Sequence, residues 1–205
     1  MRPATIPAAI AGKTETMIDQ PSKQTVSLEA LVSRAERAGR GAPPVERWNP
    51  DFCGEIDMVI RADGTWFYNG TPIRREALKR LFSSVLRKDD DGRTYLVTPV
   101  EKLAITVEDA PFVAVEMSRE ATDTGQTLTF RTDTGDVVSA GPDHPIRFAS
   151  DPDGAFRPYL LVRGRLEAAL TRSLAFDLAE LLEEDEAGFF LVSNGARFAV
   201  PEGAA

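Results

Sequence analysis

The residues in this chain best suited to chemistry are cations set beside glycines. Arg163-Gly164-Arg165 follows the apolar run Tyr159-Leu-Leu-Val162, and Arg74-Arg75 follows Tyr68-Asn69-Gly70. A strand that passes through glycine into a helix offers unpaired backbone N–H groups and the positive end of the helix dipole. An arginine at that point clamps a phosphate through two bonds, so the chemistry expected is anion binding. Arg163 and Arg165 form the sharper pair. A second group lies in Thr98-Pro-Val-Glu-Lys102. Pro99 cannot donate to a sheet ladder, so it marks an edge or bend that presents Thr98, Glu101 and Lys102. Trp66 and Tyr68 share one face of a strand, where a flat ligand such as a base could stack.

The candidate ligand-binding residues are therefore Trp66, Thr98, Glu101, Lys102, Arg163 and Arg165. Thr98 offers a hydroxyl, while Lys102 and the arginines meet phosphate. Glu101 orients Lys102 or accepts a ribose hydroxyl. Each has a plain structural alternative: the cations paired with surface carboxylates, and Trp66 packed in a core.

Other chemistry finds little support. The chain has no Walker A pattern, no dinucleotide-binding glycine fingerprint and no Gly-x-Ser-x-Gly elbow. The single His144 sits in a turn-like Gly141-Pro-Asp-His-Pro145, and the single Cys53 reads as a packed side chain at a strand start. One His and one Cys cannot build a usual zinc set within the chain. Asp89-Asp-Asp-Gly92 and Asp151-Pro-Asp-Gly154 lack the spaced ligands of a calcium loop. No catalytic residue, metal or cofactor is assigned.

With 32 acidic residues against 24 basic ones in 205, the net charge is near -8, which disfavours a nucleic-acid partner. No apolar run approaches the ~20 residues that span a bilayer. Met1–Ala11, broken by Pro3 and Pro7, does not make a secretory signal, and a lone cysteine suits a reducing compartment. A cytoplasmic protein with no membrane partner is expected.

The elements that must position these residues repeat. Tyr95-Leu-Val-Thr-Pro-Val-Glu-Lys-Leu-Ala-Ile105 returns as Phe190-Leu-Val-Ser-Asn-Gly-Ala-Arg-Phe-Ala-Val200. Upstream of each lie an Asp-Gly turn, an apolar run, a glycine and a long amphipathic helical pattern, over Arg74–Lys88 and Arg165–Glu184. Two copies are too few for a solenoid. They predict two related halves with a seam between them, and the seam is where a ligand is expected. Ser27 reads as an N-cap for a helix over 27–39 in an otherwise mobile segment 1–45. A first α+β unit over 46–110 precedes a second over 111–205, which holds a meander at 111–140 and the repeat copy at 145–200. The fold class is α+β: antiparallel sheets with one main helix in each half.

Cys53-Gly-Glu-Ile-Asp-Met58, Asp63-Gly-Thr-Trp66, Gly70-Thr-Pro-Ile73, Leu81-Phe-Ser-Ser-Val-Leu86, Tyr95 to Lys102 and Val107-Glu-Asp-Ala-Pro-Phe112 resemble the bacterial family known as domain of unknown function 1285. The resemblance covers roughly 48–200. It implies a duplicated α+β architecture, a second half similar to a pleckstrin-homology domain, a ligand pocket between the halves, and a nucleotide-like ligand in a signalling role.

Three readings of function follow. The first is a non-enzymatic ligand-binding or sensory module for a small anionic, nucleotide-like ligand. The second is a protein-interaction domain that docks a partner through the second half and the 27–39 helix. The third is a carboxylate- and metal-dependent hydrolase using Glu55, Asp57 or Glu101.

Overall fold

The structure, a computed structural model, describes residues 27–37, 43–123, 125–150 and 154–203. The segment expected to be mobile before Ser27, the Gly39 helix stop and the 151–153 part of the acidic turn lie outside the described residues.

Helix α1 (Leu28–Arg37) starts as its cap dictates: the Ala30 N–H donates to Ser27 Oγ at 3.2 Å. Its apolar face, with Leu31 and Ala35 buried, packs on helix α2 (Glu76–Ser84). A 3₁₀ turn at Val45–Arg47 then leads into the first sheet.

That sheet is built from two meanders around α2. Strands β1 (Phe52–Ile60), β2 (Trp66–Tyr68) and β3 (Thr71–Pro72) precede the helix, and β4 (Leu86–Lys88), β5 (Thr94–Val97) and β6 (Lys102–Val107) follow it. The β2–β3 turn takes φ 47° at Asn69 and 70° at Gly70, the pair of positive angles that makes Asn-Gly the favoured tight hairpin turn. The strand order is β3-β2-β1-β6-β5-β4, with β1 and β6 parallel. The helix expected over 74–88 is shorter than its apolar pattern. It stops at Ser84, and Leu86 instead pairs with Leu96 across β4 and β5.

The second half begins with three strands that the first lacks: β7 (Phe112–Thr122), β8 (Gly125–Thr132) and β9 (Val137–Ser139). The meander–helix–meander order then recurs as β10 (Ile146–Ser150), β11 (Phe156–Arg163), β12 (Leu166–Leu170), α3 (Arg172–Ala179), β13 (Glu183–Asp185), β14 (Gly188–Ser193) and β15 (Ala196–Ala199). The duplicated α+β fold is thus present as six-stranded mixed sheets, β3-β2-β1-β6-β5-β4 and β10-β11-β12-β7-β8-β9, each with its helix. In the second copy β12 runs parallel to β7, and β13-β14-β15 forms a separate three-stranded sheet.

The helix expected over 165–184 is corrected most. Gly164, at φ 51°, turns a hairpin between β11 and β12, and α3 begins only after Thr171, whose Oγ1 accepts from the Leu174 N–H. Leu166, Ala168 and Leu170 alternate into the core as strand residues. Leucines spaced by four satisfy period 2 as well as period 3.6, so their pattern alone does not choose between strand and helix. One apolar core runs through both halves, including Trp66 and Phe82 from the first and Phe112, Leu160 and Leu178 from the second. Burying each such side chain stabilises the fold by roughly 1.5–3 kcal/mol.

Candidate functional site

The seam between the halves is closed by polar contacts. Lys79 of α2 pairs with Asp133 of the β8–β9 turn at 2.6 Å, and both side chains are largely buried. Arg163 donates to Asp136 at 2.8 Å and to the Ser83 carbonyl at 2.6 Å, with its guanidinium 4.8 Å from the Phe112 ring centroid. The Asp63-Gly64 turn, with φ 81° at Gly64, lies so near Val113 that a Cβ there would stand 2.8 Å from Val113 Cγ2. Arg163 therefore ties α2 to the second sheet. It does not stand at a helix N-terminus, because Gly164 is a hairpin turn. In the first copy the helix does start just after Arg74-Arg75, with Arg75 at its N-cap position, but it is separated from Gly70 by β3.

The other candidates are dispersed. Trp66 is 1% exposed in the core, so its ring offers no stacking surface. Thr98 is buried in the β5–β6 turn, where its N–H donates to the Glu101 carbonyl and its Oγ1 accepts weakly from the Val100 N–H. Glu101 accepts from Arg34 of α1 at 2.5 Å. Lys102 Nζ donates to Asp89 at 3.1 Å and sits 4.7 Å from the Tyr95 ring centroid.

Arg165 and the strand above Lys102 do converge at one place, the mouth of the seam. A polar cleft of about 560 Å³ opens there, lined by Glu46, Trp48, Lys88, Asp90 and Arg165 over a floor of Arg87 and Asp89. The floor is rigid. Arg87 is buried and donates to the Val45 and Trp48 carbonyls at 2.9 and 2.6 Å, and to Asp89 at 2.6 Å. The Arg87 hydrogen bond, helped by Lys102, holds the Asp89 carboxyl below its ordinary value against the opposing effect of burial. Beside it, Tyr95 donates to Asp91 at 2.5 Å; burial, then that bond and charge, push the phenol up to about 12.

The upper wall is more adaptable. Arg165 pairs with Asp90, both largely exposed, and Lys88 makes no ion pair with a described residue. Trp48 is half-buried against Tyr95, Val97 and Ala104. The cleft thus sets an aromatic side chain beside Arg165, which is loosely held, and Lys88, with which no described carboxylate pairs. Sequence reasoning missed Trp48, Arg87 and Lys88. Trp48 lies at the start of the first α+β unit, ahead of any patterned element, and both cations were hidden in the tail of an overextended helix. The Asp89-Asp-Asp-Gly92 run was the signal pointing there.

The remaining groups with chemical potential are engaged structurally. His144 Nδ1 is 3.1 Å from the Leu161 carbonyl, and Cys53 Sγ donates to the Asp51 carbonyl at 3.3 Å. Glu55 pairs with Arg93. Among the described residues no group of three or more His, Cys, Asp and Glu side chains could hold a metal ion. No helix among them is long and apolar enough to cross a membrane.

Comparison with known proteins gives a consistent result. A crystal structure of a DUF1285 family protein from Silicibacter pomeroyi DSS-3 is similar to this chain, with a TM-score of 0.81 and 46% identity over 86% of this chain and 96% of that one. A DUF1285 family protein from Shewanella baltica OS155 shows 30% identity over 60% of this chain and 90% of its own, with a TM-score of 0.49. No curated protein matches. The model of the DUF1285 N-terminal domain, described as a domain of unknown function, matches residues 43–110, and that of the C-terminal domain matches 111–200. Matched by both models along most of its length, the chain belongs to the DUF1285 family.

Proposed function

We propose that the protein is a non-enzymatic ligand-binding module of a sensory kind, and that its site is the cleft at the mouth of the seam. The ligand is a small flat anion of nucleotide-like chemistry. Its ring lies against Trp48, and its anionic group meets Lys88 and Arg165. The observation that carries the reading is the meeting of a half-buried aromatic with these two cations on a rigid Arg87–Asp89 floor. The exposed Arg165–Asp90 pair is worth at most about 1 kcal/mol, so a phosphate can take the place of Asp90. Lys102 acts indirectly, by holding Asp89.

A thermal-shift titration of the whole chain against mono-, di- and cyclic nucleotides tests this, with nucleosides and inorganic phosphate as controls. At about 100 times its dissociation constant a ligand adds roughly 2.7 kcal/mol, which raises Tm by about 5–10 °C at this length. The shift should vanish in Lys88→Glu/Arg165→Glu. A flat response to every nucleotide, or a shift that survives the double substitution, rejects the site.

A further inference from the structure

Helix α3 has two apolar faces. Leu174 and Leu178 point into the core, whereas Arg172, Phe176 and Ala179, at helical spacing, lie along the opposite side. Phe176 is 63% exposed. Together with Ala175, Leu182 and Phe156 of β11, these residues line an apolar groove of 310 Å³. Phe156 is itself fixed, stacked on Phe148 with ring centroids 5.5 Å apart. Water around a large exposed aromatic beside a concave apolar surface favours an occupant.

Charge decides which occupant. Asp177, Glu180, Glu183 and Glu184 are exposed along α3 and the strand that follows it, and none makes an ion pair with a described residue. The groove's own cation, Arg172, lies 5.7 Å from the Phe176 ring, and Arg119 stands across the neighbouring depression from Glu180 and Glu183. The carboxylates prevail. A second copy presenting the same face would bring like charges together, and an anionic amphiphile would meet the same collar.

We propose that this groove docks a basic amphipathic helix of a partner protein. An apolar side chain enters beside Phe176, and flanking Lys or Arg residues meet Glu180 and Glu183. The groove follows α3 from Arg172 to Leu182, a length that suits successive anchors one helical turn apart. This site is separate from the seam cleft and stands without it.

The test uses the full chain and a fluorescent Leu/Lys amphipathic peptide of about 18 residues, long enough to hold a helix. Its controls are a Leu/Glu counterpart and a scramble of the same composition without an apolar face. The Leu/Lys peptide should bind the wild type, and Phe176→Asp should weaken it at least about tenfold, although that change adds negative charge. Glu180→Lys/Glu183→Lys should weaken it as well. Equal binding to Phe176→Asp, equal binding of the scramble, or preference for the Leu/Glu peptide overturns the proposal. So does a wild-type dimer that Phe176→Asp dissolves. Hydrogen exchange on the wild type provides a readout free of variant folding: peptide protection must fall on residues 172–182, and protection elsewhere refutes the site.

Discussion

Lys102 Nζ lies 4.7 Å from the ring centroid of Tyr95, and the aligned Arg197 lies 3.4 Å from that of Phe190. Each cation also holds an aspartate at the end of the preceding meander strand or just beyond it: Asp89 at 3.1 Å and Asp185 at 2.7 Å. The duplicated unit therefore carries the same aspartate–cation–aromatic triad twice. This explains why Lys/Arg and Tyr/Phe exchange like for like between the copies. Lys102→Met should lower stability by about 1 kcal/mol, and Lys102→Arg should restore most of it. Urea denaturation of the three proteins measures this.

Across the seam, Lys79→Met leaves the Asp133 carboxylate largely buried without its cation. A loss of roughly 2–4 kcal/mol is expected, because the stranded charge matters more than the lost pair. Asp133 also accepts from the Val113 N–H at 2.9 Å, and an asparagine at 133 can retain that bond through its side-chain oxygen. Adding Asp133→Asn to Lys79→Met should therefore recover part of the loss. A double-mutant cycle by chemical denaturation reads the coupling directly.

Ser193 and Thr98 are aligned hydroxyls with unequal duties. Ser193 is fully buried, accepts from the Leu128 N–H and donates to the Ala140 carbonyl, both at 2.9 Å. Ser193→Ala strands both groups and should cost about 2 kcal/mol, or roughly 4–8 °C in Tm. Thr98→Ala loses only a 3.4 Å contact from Val100 and should shift Tm far less. Paired calorimetric scans decide it.

Gly64 combines a positive φ of 81° with a Cβ position 2.8 Å from Val113. Gly64→Ala should destabilise by roughly 1–3 kcal/mol. Gly70, with the same sign of φ and nothing within 4 Å of its Cβ position, serves as the control for conformation alone. Gly70→Ala should be the milder change in the same denaturation assay.

Two groups set pH limits of opposite sign. The Asp89 carboxyl is depressed in the fold, so its contribution is present above the unfolded value near ~3.9 and disappears as pH falls through the lower folded value. Tyr95 is raised to about 12, so its contribution is complete below the unfolded value near ~10 and disappears as pH climbs towards about 12. Asp89→Asn should flatten the acid limb of the stability curve below about pH 4. Tyr95→Phe should flatten the alkaline limb between about pH 10 and 12. Melting temperatures across pH show both.

The legible parts of the sequence were those whose physics is local. Asp63-Gly64 announced its turn, Ser27 its cap, and Tyr95 to Ile105 its later copy. Strand β12 was illegible because Leu166 and Leu170, continued by Leu174 and Leu178, form a leucine ladder that suits either period. Strand β13 is Glu-Glu-Asp, which has no strand propensity and is held by pairing with Phe190, Phe189 and Gly188. The surroundings of the candidate residues were illegible for a different reason. Asp136 and Ser83, the partners that occupy Arg163, lie far away in sequence, as do the Val45 and Trp48 carbonyls that fix Arg87. No local pattern reports them.

The parallel pairings also set an order of assembly during synthesis. The first sheet closes when β6 meets β1, and so needs only the chain up to Val107. The second holds β7 waiting: Phe112 finds its partner only at Ala168, and β8 gains its last clamp only at Ser193. Emerging from a ribosome, the N-terminal half can be finished while β7, β8 and β9 still lack a neighbour on one side, an interval in which their open edge invites wrong pairing. A chain cut short before Leu166 would retain that hazard permanently.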